Sequence, residues 1–123
     1  MLLPWLPAML MMVTIFGFSS IPSSEMPDLG LWDLVVQKAG HILGYGFLAL
    51  TYWLGLHFDK RRWWLALLFV ILFAISDEFH QSFVPGRHPS WVDVLVFDGA
   101  SAAVALGLVY WWQVKREISI KSD

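Results

Sequence analysis

The sequence contains no cysteine, which excludes a disulfide framework, a thiolate metal site and a cysteine nucleophile. Charge is scarce as well: 15% of residues are Asp, Glu, Lys or Arg, against about 25% in an ordinary soluble domain. The formal balance of −2 is too weak to draw a nucleic acid, and no basic patch is interleaved with aromatics, so a nucleic-acid partner is set aside. There is no G-x-S-x-G elbow, no P-loop, no dinucleotide fingerprint and no H-E-x-x-H spacing. Neither a cofactor nor a metal is therefore expected.

What the chain has instead is apolar surface. Of its 123 residues 58% are hydrophobic, and the mean hydropathy is +0.61. Eight tryptophans are present, and Trp5, Trp32, Trp63, Trp64, Trp91, Trp111 and Trp112 stand where apolar runs meet charge, as in an interfacial aromatic belt. These features predict an all-α membrane protein, a single domain 1–123 built as a four-transmembrane-helix bundle. The predicted spans are residues 2–21, 37–57, 63–83 and 90–112, with 113–123 as a short polar tail.

The first span carries no charge from Met1 to Ser24. It lacks the basic start of a signal peptide and exceeds the usual apolar core of one, so it is expected to stay as a helix. Pro22 and Pro27 make residues 21–30 a loop. The third run is too short to cross a core of about 30 Å unless it continues through Asp77-Glu78-Phe79-His80-Gln81. Pro85-Gly86 then turns the chain, and Ser90 with Asp93 forms a capping-box start for the last helix. Gly40/Gly44 and Gly99/Ala103/Gly107 recur at four-residue spacing, a pattern that predicts close helix approach.

Six of the eight basic residues (Lys60, Arg61, Arg62, Lys115, Arg116 and Lys121) follow the second and fourth spans. The positive-inside rule then puts both termini in the cytoplasm. Counting inward from that side, Asp77 lies 15 residues beyond Arg62, Asp98 14 before Trp112 and His41 16 before His57. At 1.5 Å per residue all three fall at about 21–24 Å, in one layer toward the outer face. Glu78 and His80 belong to that layer, with Lys38, Gln81 and Asp93 just above it. Buried charge costs about 2.5–3.5 kcal/mol at a helix centre, so these groups should face one another and not lipid.

Lys38-x-x-His41-x-x-x-Tyr45, the run Asp77-Glu78-x-x-Gln81-x-x-x-Pro85-x-Arg87 and the following Asp93 resemble the VanZ-like family of small bacterial membrane proteins. Phe18-Ser19-Ser20 at the close of the first span is similar to that family too, and the resemblance covers about residues 15–107. One departure stands out. The family often has Asn or Asp four positions after the fourth-helix Asp; here that position is Phe97 and Asp98 follows it. The sequence leaves open whether a local helix irregularity lets Asp98 take the place.

The family is named for a member associated with low-level resistance to the glycopeptide teicoplanin. The resemblance thus implies an envelope role, with membrane lipids, a lipid-linked wall precursor or a glycopeptide antibiotic as partners. Candidate ligand-binding residues are Lys38, His41, Tyr45, Asp77, Glu78, His80, Gln81, Arg87, Asp93 and Asp98. Intramembrane ionisable groups are functional by default. The alternative for the cluster is a hydrogen-bonded network that locks helices together; for Asp93 it is a capping acid; for Lys38 and Arg87 it is snorkelling or neutralisation of nearby acids. Enzymatic action on a lipid-linked substrate, with His41, Asp77, Glu78 and His80 as acid and base, and a structural role in a larger membrane assembly are the competing functions. The oligomeric state is left open.

Overall fold

The computed structural model describes residues 2–122, and every regular element among them is helical. A 3₁₀ turn at Leu3–Trp5 leads into α1 (Leu6–Ser19); α2 is Trp32–Gly55 and α3 is Trp63–Gln81. The last helix, α4, runs continuously over 91–122, with α geometry at Trp91–Asp93, π geometry at Val94–Gly99 and α geometry again at Ala100–Ser122. A second 3₁₀ turn, Ser23–Glu25, lies between α1 and α2.

Each helix buries one stripe. In α2 the buried side chains include Tyr45, Leu48, Ala49, Tyr52 and Trp53, at the i, i+3, i+4, i+7 spacing of a single face. In α3 they are Ala66, Val70, Phe73, Ala74, Asp77, Glu78 and Gln81, so the stripe turns polar over its last two turns. Leu, Val, Phe and Trp side chains cover the exterior along all four helices, while the buried polar groups are Ser19, Asp77, Glu78, Gln81 and Asp98. An apolar exterior around a core that is apolar along most of its length and polar at one end departs from a water-soluble bundle. It is what a hydrocarbon surround requires. By length and composition α3 and the 31-residue stretch Trp91–Lys121 of α4 suffice to cross a bilayer; Leu3–Ser19 is apolar but shorter.

Helix α2 starts at Trp32, five residues before the expected span, because Asp33 in its first turn accepts the Leu29 N–H (2.8 Å) and closes that turn. The polar tail expected at 113–123 is helical through Ser122. Ionic contacts at that end explain it: Lys60 pairs with Glu117 (2.5 Å), and Lys115 and Arg116 lie over Trp111 and Trp112, one turn back. The Lys60 hydrogen bond holds the Glu117 carboxyl below the usual carboxylate range. Contacts from Lys38 to Asp93, Gly46 to Ala105 and Lys60 to Glu117 show that α2 and α4 run parallel over their length.

The small-residue pattern resolves differently from expectation. A Cβ built on Gly40 or Gly107 meets nothing within 4 Å, and Ala103 is exposed. The face of α4 that packs is Ala102 and Leu106, because the π segment rotates the rest of the helix. Close approach occurs instead at Gly55, where a Cβ would stand 2.7–2.9 Å from the Trp5 ring. That ring also packs against Tyr52 and Phe69, with centroids 6.5 and 6.1 Å away. Gly55→Ala is therefore expected to destabilise the protein by about 1–3 kcal/mol through overpacking. Gly107→Ala should be neutral or stabilising by up to about 1 kcal/mol, since only helix propensity changes. Denaturant unfolding in detergent micelles measures both.

Candidate functional site

At the end of the bundle opposite Lys60 and Lys115, all four helices bring polar groups inward. Asp77 on α3, 1% exposed, is the centre. Its Oδ2 accepts hydrogen bonds from Ser19 Oγ of α1 (2.7 Å), Tyr45 OH of α2 (3.0 Å) and Gln81 Nε2, one turn along α3 (3.1 Å). Gln81 Nε2 also donates to Ser19 Oγ (3.2 Å). Oδ1 is buried without a hydrogen-bond partner among the described residues.

Asp98 is equally buried and faces His41 of α2, Nδ1 to Oδ1 3.2 Å. His41 in turn stacks on Tyr45, centroids 5.8 Å apart, so the two carboxylates are joined through one aromatic pair. This geometry answers the question that Phe97 raised. In a regular α-helix Asp98 would lie about 140° around the axis from Asp93. The π turn over Val94–Gly99 rotates less per residue, takes up that excess and returns both acids to the α2 side. Asp93 meets Lys38 there, and Asp98 meets His41, one turn along α2. Lys38 also lies over the Phe97 ring, 4.5 Å from its centroid.

The remaining candidates serve the helix ends. Ser90 Oγ accepts the Asp93 N–H (3.3 Å), which is half of the anticipated capping box. The other half comes from a different helix: the Ser90 N–H donates to Glu78, and the Asp93 carboxylate is left for Lys38. Arg87 donates through Nε to Ile21 O (3.1 Å) and through Nη2 to Phe18 O (3.2 Å), satisfying carbonyls at the end of α1 where its dipole favours a cation. Gly86, at φ +74°, brings its loop against Ser23, whose Oγ donates to Gly86 O (2.5 Å).

His80 stacks on Phe16 (4.1 Å) with Nε2 2.9 Å from Ser20 Oγ. The Ser20 hydroxyl donates to Phe16 O (2.7 Å), and in that arrangement the His80 Nε2–H donates its hydrogen bond to Ser20 Oγ. His41, Asp77, Glu78 and His80 thus point to different partners, and no group of three His or carboxylate residues among those described could hold a metal.

Ser19 was missed as a site residue. Its signals in the sequence are a hydroxyl at the polar depth of a largely apolar helix and its place in the Phe18-Ser19-Ser20 stretch, and its partners lie 58 and 62 residues away.

Beside the network lies a half-open cleft of about 520 Å³ between α1, α2 and the loop joining them. Met11, Ile15, Phe18 and Val36 are among its apolar walls; Ser19, His41 and Tyr45 present the network to it; Glu25, Asp33 and Arg87 stand among its lining residues toward the loop. Gly40 and Gly44 also line it, which is why a Cβ at Gly40 would meet open space. A second groove, about 420 Å³ between α2 and α4, has no ionisable lining residue.

A bundle with an apolar exterior and an ionisable core defines the class as a helical membrane protein. A family model described as VanZ/LLP1 matches residues 4–113, and the chain belongs to that family. No curated protein and no solved structure matches it.

Deleting Val96, an exposed residue inside the π segment, should restore α geometry and set Asp98 four positions after Asp93, where a regular helix keeps it on the His41 side. The chain has no native cysteine, so a His41→Cys/Asp98→Cys pair reads this directly. Efficient oxidative crosslinking is expected with Val96 present and should persist without it, because the shortened helix needs no π turn to hold this register; loss to background on deletion would overturn that account.

Proposed function

We propose that the protein crosses the bacterial cytoplasmic membrane four times, with both termini in the cytoplasm, and binds an amphiphile of the outer leaflet. The amphiphile is a membrane lipid, a lipid-linked wall precursor or a glycopeptide antibiotic, held with its apolar part in the cleft and its polar part over the network. Binding of this kind lowers sensitivity to an amphiphilic glycopeptide such as teicoplanin.

The cleft carries this conclusion. Its volume falls within the roughly 300–1,000 Å³ typical of ligand sites, and it joins apolar walls to a few convergent polar groups. A network that served only to lock helices would be sealed, whereas Ser19, His41 and Tyr45 each reach the cleft as well as a buried carboxylate. The topology rests on the six basic residues at one end and on Trp63, Trp64, Trp111 and Trp112 exposed near them, with Trp32 and Trp91 exposed at the other.

A cytoplasm-active reporter fused after Asp123 is expected to be active, and an export-dependent reporter should be active near Met26 or Arg87. An exported signal at the C-terminus would overturn the span count. For function, Gly40→Leu fills the cleft from a position with room for its Cβ, and Asp77→Asn removes a carboxylate while keeping shape and an acceptor. Both variants are expected to insert at near-normal levels yet lose at least half of any protection against teicoplanin conferred on a permeable host. Inhibitory concentrations measure this, and full protection by Gly40→Leu would sink the proposal.

A further inference from the structure

The charges along the cleft are of both signs and do not pair with one another. Arg87, Glu25 and Asp33 all line it, yet the ion pairs among the described residues are Lys38–Asp93, His41–Asp98, Lys60–Glu117 and Arg62–Asp59. Arg87 is fixed through Nε and Nη2 by Ile21 O, Phe18 O and Met26 Sδ, which leaves the two N–H groups of Nη1 without a protein acceptor among the described residues. Asp33 accepts the Leu29 N–H through Oδ1 alone, and the Glu25 carboxylate accepts no hydrogen bond from a described residue. A guanidinium held in place and two under-used carboxylates on one cleft match a ligand that itself carries separated opposite charges.

We infer that the cleft selects a zwitterionic amino-phospholipid of the phosphatidylethanolamine type, which deepens the amphiphile proposal and rests on it. The phosphate meets Nη1 of Arg87, the primary ammonium meets Glu25 and Asp33, and an acyl chain lies along Met11, Ile15 and Phe18. An anionic headgroup without an amine would satisfy Arg87 but bring its charge near two carboxylates. A diacylglycerol would leave Arg87 Nη1, the second Asp33 oxygen and the Glu25 carboxylate without ligand partners, and desolvating an unpaired charge is costly.

The test uses the full chain in mixed micelles with equimolar dioleoylphosphatidylethanolamine, dioleoylphosphatidylglycerol and dioleoylglycerol, with retained lipid counted by native mass spectrometry. Phosphatidylethanolamine is expected to exceed phosphatidylglycerol about tenfold, equivalent to about 1.4 kcal/mol. Glu25 is exposed, so Glu25→Lys should fold normally and reverse the preference. Glu25→Gln with Asp33→Asn should reduce it to within about twofold, since the amide at 33 still accepts the Leu29 N–H.

Retention of phosphatidylglycerol at or above the level of phosphatidylethanolamine by the unaltered protein overturns the inference, as does equal retention of dioleoylglycerol. Gly40→Leu separates the two levels of the argument. If it expels lipid while headgroup preference is absent, the cleft is an amphiphile site without this selectivity. If lipid stays bound to Gly40→Leu in the same amount, the lipid lies elsewhere and the cleft proposal falls with the selectivity.

Discussion

A carboxylate that must be kept from lipid organises the polar half of this molecule. Asp77 sits in an apolar helix, where an ionisable side chain at depth costs about 2.5–3.5 kcal/mol unless it finds partners. Its own helix supplies one donor, Gln81; the others have to come from Ser19 of α1 and Tyr45 of α2. Three helices are thereby drawn to one point. The fourth joins through Asp98, which carries the same need and meets it at His41. The apolar exterior and the polar interior are two consequences of one demand, that hydrocarbon be shown no unpaired polar group.

The two ends of the bundle are closed by different means. At the polar end, side chains take up backbone groups that helices leave unsatisfied: Arg87 for the carbonyls ending α1, Glu78 for the Ser90 N–H that opens α4. At the basic end, α2 stops with no glycine in the left-handed position that follows it. His57 and Phe58 adopt left-handed φ values of 58° and 52°, and the Phe58 N–H reaches back to Trp53 O (2.9 Å) in a Schellman-like closure. The buried Trp53 ring donates to Asp59 O (2.9 Å) and packs edge-on against Phe58, which holds this uncommon backbone in place. With both ends secured, the space beside Gly40 stays open as a cleft, while one turn further on Gly44 faces Ile15 of α1.

Much of this was legible in the sequence because it follows from local or one-dimensional quantities. Hydropathy and span length give helices where they are found at residues 6–19, 63–81 and onward from 91. Helical rise puts His41, Asp77 and Asp98 at one height, and the Ser90 cap is written in its neighbours. Errors arose where a partner far along the chain decides the outcome. The stretch 113–123 reads by composition as a short polar tail, yet Lys60, more than fifty residues earlier, pairs with Glu117 in a helix that continues to Ser122. The glycine spacing reads as a packing motif, but spacing does not say whether a neighbouring helix occupies that face.

The same division holds for the site. From the sequence by itself come the helical class, the family resemblance and the set of ionisable residues that must avoid lipid, because each depends on residue type and order along the chain. Only the tertiary structure decides which of those residues meet: Asp77 with Ser19, Tyr45 and Gln81; Glu78 with the start of α4; Arg87 with the end of α1. It alone reveals the π turn that brings Asp98 to His41, and the cleft onto which the network opens. The reason is geometric. A helix rotates each residue by about 100°, so the face it presents depends on every turn before it, and a single π turn redirects all that follow.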